Sequence, residues 1–344
     1  MCLHTCITDL VSHITQLHTA YGITAISCNL EYARLYLSTW FGISIKQTPS
    51  PHPSNMESSD SKSIRKAIWS GSIPCKILLD PGECRVFDDS DPYYLTIPRI
   101  SYLPLFIPQI YKFFKHFLID QEVSKEETAW FEFESVPLKW HWPVGLLYDL
   151  FTARDPSSRD VEDEEHQLPW TLILHFRDYP HKHLMRLDNP AACHDAWMNL
   201  VKEADYVRHG SAKAVMNLTK AESTGLWDSL QSYDFDKYWS VYDKLISPIS
   251  TPTRNIPLRV YIPGTGSRVI QRPVPPLQAS RDHHTVGTAL HLFVPELFPS
   301  QRVCVLAKPV IHGVVIAMGT PLIDLMREAV YPDGFLHVSL AMMA

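Results

Sequence analysis

The sequence predicts an α+β chain in which two small mixed α/β units flank a helical module. Three observations carry that expectation. Residues 65–184 read in the order ββαβαβ, and residues 251–344 repeat that order as ββαβ(β)αβ. Between them, residues 185–250 space their apolar side chains by three and four rather than two. The length agrees, since 344 residues at roughly 150 per domain give two or three domains.

Composition excludes several classes. With 45% hydrophobic, 20% charged and 11% aromatic residues, the chain can fill real cores, which rules out global disorder, collagen and coiled coil. A net charge of −6, from 31 basic and 37 acidic side chains, argues against a protein that coats nucleic acid. Seven cysteines without a CxxC pair read as reduced thiols of a soluble, intracellular chain. The most apolar N-terminal stretch, 21–45, contains Glu31 and Arg34 and makes a poor membrane span. No basic segment precedes a clean apolar run, as a signal peptide requires.

Residues 1–64 are expected to be a disordered N-terminal extension and linker. Their first 55 residues carry only Asp9, Glu31, Arg34 and Lys46 as charges, and a Pro/Ser stretch at 47–54 cannot hold a helix or sheet. The polar run that opens at Met56 has the look of an ordinary protein start, so 1–55 is read as an appendage. The rival reading is a short helical extension with a partner of its own.

In the first unit, 66–79 reads as two short strands or one bent strand, broken at Gly71 and Pro74. A strand follows at 92–98. A helix is expected over 102–118, where Phe106, Ile110, Phe113, Phe114 and Phe117 form a stripe and the prolines at 104 and 108 disturb the first turns. Residues 130–134 alternate as a strand, 144–151 make a short helix and 169–176 a buried strand. Between those last two lies an acidic loop insertion, 154–167, that reads as solvated and disordered, with a basic partner surface as the sharper alternative.

The helical module opens at Asn189-Pro190, a cap followed by proline at the first helical position. Cys193, Trp197, Leu200, Val201, Ala204 and Val207 share one face, with Gly210 just past the end. A second helix is expected over 211–222 and a third from 234 to 245. In the last unit, 256–262 and 267–273 form a hairpin around Gly264-Thr265-Gly266, followed by a helix from Thr285 to Phe293. One interrupted strand or two short ones over 303–315, a helix from Pro321 to about Val330 and a strand at 335–340 complete it.

Catalytic constellations are absent from the pattern. Gly264 and Gly266 lack the third glycine and the Gly-Lys-Ser/Thr ending that would hold phosphate. The pairs His181/His183 and His283/His284 and the set Cys2/His4/Cys6 show no metal-ligand spacing, so neither a metal nor a cofactor is expected. Cys75, Cys84, Cys193 and Cys304 look like packing residues. Glu132 and Glu134 read as the solvated face of a strand. Lys202 lies five residues past Trp197, about 140° around the helix, and so points to solvent beside Glu203 and Asp205. On physics alone it is an ordinary surface lysine.

Five segments change that reading. Residues 130–150, Trp-Phe-Glu-Phe-Glu-Ser-Val-Pro-Leu-Lys-Trp-His-Trp-Pro-Val-Gly-Leu-Leu-Tyr-Asp-Leu, strongly resemble the signature of the autophagy protein 5 family. Residues 93–102, 168–176, the Lys-Glu-Ala-Asp of 202–205 and 331–339 agree in order, so the likeness covers about 66–344. The resemblance implies two ubiquitin-like (β-grasp) domains, 65–184 and 251–344, flanking a helix-rich domain, 185–250. It implies that Lys202 is the acceptor of an isopeptide bond from the ubiquitin-like autophagy protein 12. It further implies E1-like and E2-like conjugating enzymes as transient partners and autophagy protein 16 as a coiled-coil partner. The conjugate would promote attachment of autophagy protein 8 to phosphatidylethanolamine during autophagosome and cytoplasm-to-vacuole vesicle formation. By the same token the chain has no catalytic residue of its own, binds no nucleic acid, and works in the cytoplasm and peripherally at the preautophagosomal membrane. Helices within 211–246 could wall a partner's docking groove, although Trp227, Trp239 and Tyr242 read first as core. The alternative is an adaptor that binds partners without being conjugated.

Overall fold

In this computed structural model the described residues are 54–85, 91–121, 124–153, 155–156, 168–187, 190–246, 252–264 and 268–343. The expectations for 1–53, the set Cys2/His4/Cys6, most of the acidic insertion, Asn189 and the hairpin tip at 265–266 lie outside them.

Alternation builds the first sheet. Ile73, Cys75, Ile77 and Leu79 turn inward along β1 (Ser72–Leu79), while Ser72 and Pro74 face out. β2 (Tyr93–Pro98), α2 (Ile107–Phe114), β3 (Trp130–Phe133), β4 (Val136–Pro137), α3 (Val144–Phe151) and β5 (Trp170–His175) follow. The five strands lie in the order β2-β1-β5-β3-β4, with β1 and β5 parallel from Cys75↔Trp170 to Leu79↔Leu174. Pro74 precedes that parallel pairing, so its missing N–H costs the central ladder nothing.

Four helices make the middle module: α4 (Pro190–His209), α5 (Lys213–Met216), α6 (Lys220–Gln231) and α7 (Phe235–Ile246). The last unit then repeats the first. β6 (Leu258–Ile262), β7 (Arg268–Gln271), α8 (Val286–Phe293), β8 (Ala307–Ile311), β9 (Val314–Val315), α9 (Leu322–Glu328) and β10 (Leu336–Met342) build a second five-stranded sheet. Its order is β7-β6-β10-β8-β9, again with the first and last strands parallel at the centre. Both sheets are β-grasp sheets of the ubiquitin-like type, and the fold class is the α+β arrangement the sequence predicts.

The duplication extends to single residues. Gly145 and Gly287 each stand second in a short apolar helix, after Val144 and Val286. The Gly145 amide donates to the Arg99 carbonyl at 2.7 Å and the Gly287 amide to the Met318 carbonyl at 2.8 Å. A Cβ on Gly287 would lie 1.9 Å from the Gln301 carbonyl oxygen, so no side chain fits.

Three segments differ from expectation. Residues 54–70 form α1 (Ser54–Ser70) rather than a disordered linker running into a strand. Ser61, Arg65 and Trp69, four apart, share a face that grips two other elements. Ser61 donates to the Glu328 carboxylate at 2.7 Å, Arg65 pairs with Asp243 at 2.8 Å, and the Trp69 indole donates to the Tyr233 carbonyl at 3.2 Å. The expected helix at 211–222 is two helices, because Thr219 and Glu222 form a reciprocal capping box that starts α6 afresh. The helix expected over 102–118 is a 3₁₀ turn at Leu103–Phe106 followed by α2, a split that the prolines at 104 and 108 impose.

A buried joint ties the two sheet units together. The Arg99 guanidinium pairs with Asp149, which also accepts the Gly313 amide of the second unit at 2.9 Å. Burial alone would lower the Arg99 pKa, but Asp149 outweighs it and holds the guanidinium charged. Beside Gly313, His312 takes φ 53°, stacks on Tyr331 and hydrogen-bonds the Ala329 carbonyl at 2.9 Å.

Gly287→Ala is expected to cost about 1–3 kcal/mol through overpacking. Gly319→Ala, whose Cβ meets nothing within 4 Å, should leave the melting temperature unchanged; thermal denaturation compares them. Acid should destabilise the fold through His312. Burial pushes the His312 imidazole down to about 3, against a reference value of 6.5. Between those values the unfolded chain binds a proton that the folded chain refuses, so stability is full above the window and is lost as pH falls through it. His312→Asn, which tolerates the left-handed backbone, should flatten the dependence of the urea midpoint on pH in that window.

Candidate functional site

Helix α4 carries the lysine that the sequence singles out, and its inner face explains its rigidity. Cys193, Trp197, Met198, Val201 and Ala204 are buried. The outer face runs through Asp195, Asn199, Glu203 and Tyr206, all exposed at helical spacing, and Lys202 stands half-buried on its flank.

The loop Tyr-Pro-Asp-Gly-Phe at 331–335 anchors that helix. The Trp197 indole donates to the Pro332 carbonyl at 3.2 Å, and the Tyr238 hydroxyl of α7 donates to the same oxygen at 3.0 Å. Arg208, 1% exposed, donates to the Gly334 carbonyl at 2.9 Å and to the Leu245 carbonyl at 3.3 Å. Within the loop Asp333 accepts from His337 at 2.7 Å, and His337 meets the Tyr261 hydroxyl at 2.8 Å. Burial would raise Asp333, but the imidazole and the Phe335 amide outweigh it and hold the carboxyl below its ordinary range.

The residues around Lys202 divide by role. Glu203 accepts from Arg259 at 2.9 Å and from Gln271 at 3.1 Å, which clamps α4 to the β6–β7 hairpin. Asp205 is not the solvent-facing neighbour the sequence suggests. It is buried, accepts the Val215 amide at 3.2 Å and sits 3.7 Å from His209. Its Cβ lies on the inner side of the helix, where it caps α5, and burial raises its pKa. Lys202 makes no hydrogen bond or ion pair with any other described residue. One turn on, Tyr206 opens a cleft of about 340 Å³ that Gly210, Arg254, Leu258, Arg272 and Pro273 complete.

Such an arrangement presents an amine on a fixed scaffold. A second lysine, Lys139, sits 4.4 Å over the Trp142 ring, and burial lowers its pKa below the ordinary range. Thiol chemistry is disfavoured at the buried cysteines, where desolvation pushes Cys75 and Cys193 up to about 12. Glu134 belongs to a turn with φ 48°, so it does not share a strand face with Glu132 as expected. Trp239 and Tyr242 are core residues. Among the described residues, no helix is long and apolar enough to cross a membrane.

The fold therefore defines a chain of two ubiquitin-like domains around a helical bundle. Residues 68–176 match the family model "Autophagy protein ATG5, UblA domain", 190–248 the "alpha-helical bundle region" and 255–340 the "UblB domain". The autophagy protein 5 of Aspergillus oryzae is 42% identical over 314 residues, which cover 82% of this chain and 97% of that one. That of Penicillium rubens is 44% identical over 310 residues, with the same two shares. The crystal structure of Kluyveromyces marxianus Atg5 superposes with a TM-score of 0.66 at 20% identity, over 81% of this chain and 99% of that one. The chain belongs to the autophagy protein 5 family, whose members place it in autophagy.

Loss of the Arg208 donors would strand the buried Gly334 carbonyl and leave that of Leu245 to the His209 ring alone. Arg208→Met is expected to cost about 3 kcal/mol, read as a lower urea midpoint of the main unfolding transition.

Proposed function

We propose that this chain is a conjugation scaffold of autophagy, joined through Lys202 to the C-terminal glycine of the ubiquitin-like autophagy protein 12. The observation that carries the reading is Lys202 itself. It begins the Lys-Glu-Ala-Asp sequence on a braced helix and has no partner among the described residues.

The step is aminolysis of a thioester. The neutral Nζ of Lys202 attacks the thioester carbonyl carbon carried on a conjugating enzyme's cysteine. A C–N bond forms, the C–S bond breaks, the thiolate leaves on the enzyme, and the amine proton passes to base or solvent. Free lysine, near pKa 10.4, is mostly ammonium at neutral pH, so deprotonation belongs to the encounter complex. The chain supplies a positioned nucleophile and no catalytic group. The conjugate binds autophagy protein 16 and promotes phosphatidylethanolamine attachment to autophagy protein 8, acting peripherally at the preautophagosomal membrane.

Starved cells expressing wild type or Lys202→Arg test the reading by immunoblot. Arginine keeps charge and helix propensity but offers no usable amine. The expected result is loss of the band heavier by one ubiquitin-like protein, with the unmodified chain still abundant. A heavy band that persists in the variant moves the acceptor elsewhere. Absence of any heavy band in wild type favours the unconjugated adaptor.

A further inference from the structure

At the far end of the first sheet, three side chains converge around one point. Asp80 and Glu83 stand in the turn that follows β1, and His175 ends the parallel neighbour β5. His175 Nδ1 lies 3.5 Å from Asp80 Oδ2 and 3.9 Å from Glu83 Oε1, and one ligand atom from each of the three residues lies within 4.8 Å of the other two. These separations are too long for hydrogen bonds, which cluster near 2.7–3.2 Å. The 3.5 Å edge between Asp80 Oδ2 and His175 Nδ1 matches a coordination shell, since ligands about 2.1 Å from a tetrahedral ion lie roughly 3.4 Å apart, and a Glu83 carboxylate oxygen lies within 4.8 Å of both.

Each residue is oriented from behind. Asp80 Oδ1 accepts the Gly82 amide at 2.7 Å, which leaves Oδ2 turned toward the ring. Glu83 is 6% exposed, and the Phe176 and Arg177 amides hold its carboxylate at 3.0 and 3.1 Å. Its Oε2 takes only the Phe176 amide and keeps a free lone pair. His175 stacks on Trp130 at 4.1 Å and 11°, and the Trp130 indole is itself fixed by a 2.8 Å bond to the Arg177 carbonyl. On the other side of the ring, buried Nε2 has no hydrogen-bond partner and faces Glu132 Oε2 at 3.5 Å. With a metal on Nδ1 the proton sits on Nε2, and Glu132, 3.5 Å away, is the carboxylate placed to approach and take it, as a carboxylate commonly does behind a ligating histidine. Arg177, which also lines the cleft, pairs with Asp120 at 3.7 Å. A cleft of about 370 Å³ lined by these residues gives an ion its path and leaves room for water in a fourth position.

We propose that Asp80, Glu83 and His175 form a binding site for a divalent transition-metal ion, zinc above all, with Glu132 as the positioning residue for the imidazole. Two carboxylates and a neutral imidazole suit zinc and place two negative charges around it, which a divalent ion neutralises. The bound ion ties the turn after β1 to the end of β5, from which the chain leads into the helical module.

The test uses the full chain, stripped of metal and kept reduced, in competition with a chromogenic zinc chelator. Asp80→Asn keeps the oxygen that accepts the Gly82 amide but loses the anionic ligand; His175→Gln removes the ring nitrogen. Wild type should hold one zinc equivalent more than either variant, with at least tenfold tighter binding, and zinc should raise its melting temperature but not that of Asp80→Asn. Glu132→Gln should weaken the site by about 10–100-fold without abolishing it. An unchanged melting temperature of metal-free Asp80→Asn establishes that its fold is intact. Equal zinc uptake by wild type and Asp80→Asn would assign the metal to other histidines or cysteines and overturn the proposal, as would no uptake at all.

Discussion

The carbonyl oxygens of Pro332 and Gly334 are the constraint on which the arrangement of the three parts depends. They sit in a loop of the second ubiquitin-like domain, and their donors come from Trp197 and Arg208 of α4 and Tyr238 of α7. A buried carbonyl without a donor costs about 1–3 kcal/mol, so the helical bundle and the second sheet stay together or both lose. The direction of α4 follows, and with it the position of Lys202. Glu203, clamped by Arg259 and Gln271, fixes the same helix from the outside.

The first sheet joins this assembly through a different device. Arg99 and Asp149 neutralise each other in a buried site, and Asp149 also takes the amide of Gly313 from the β8–β9 turn. Each charge loses its water there at a cost of several kcal/mol, which their mutual attraction and the Gly313 amide offset. Helix α1 closes the remaining side through Trp69, which packs against Tyr233, Phe235 and Tyr238. The conjugation proposed for Lys202 would gain from this bracing, because an amine on a fixed helix meets a thioester without first having to be ordered.

Much of the fold was legible because it rests on local periodicity. Val144–Phe151 could be bounded in the sequence, and the order of strands and helices was readable in both units from alternation and turn residues, save for the two-residue β4 of the first, too short to alternate. Helix α1 was hidden because its polar N-terminal half masks the Ser61, Arg65, Trp69 stripe. The break between α5 and α6 was signalled by Thr219 and Glu222, a capping box that apolar spacing alone overlooks. Lys202 stood out only through family resemblance; by physics it is one surface lysine among many. The Arg99–Asp149–Gly313 joint and the Asp80–Glu83–His175 cluster were not legible at all. The bonded partners in the joint lie 50 and 164 positions apart, and Glu83 and His175 in the cluster more than ninety. No local pattern encodes such pairings.

Tandem mass spectrometry of the purified, trypsin-digested conjugate tests the central claim most directly. An isopeptide bond at Lys202 blocks cleavage there, so the account predicts a branched peptide spanning 187–208 that carries the C-terminal remnant of the ubiquitin-like partner on that lysine. The same remnant on Lys139, whose burial favours the free amine, or on any other lysine would contradict it.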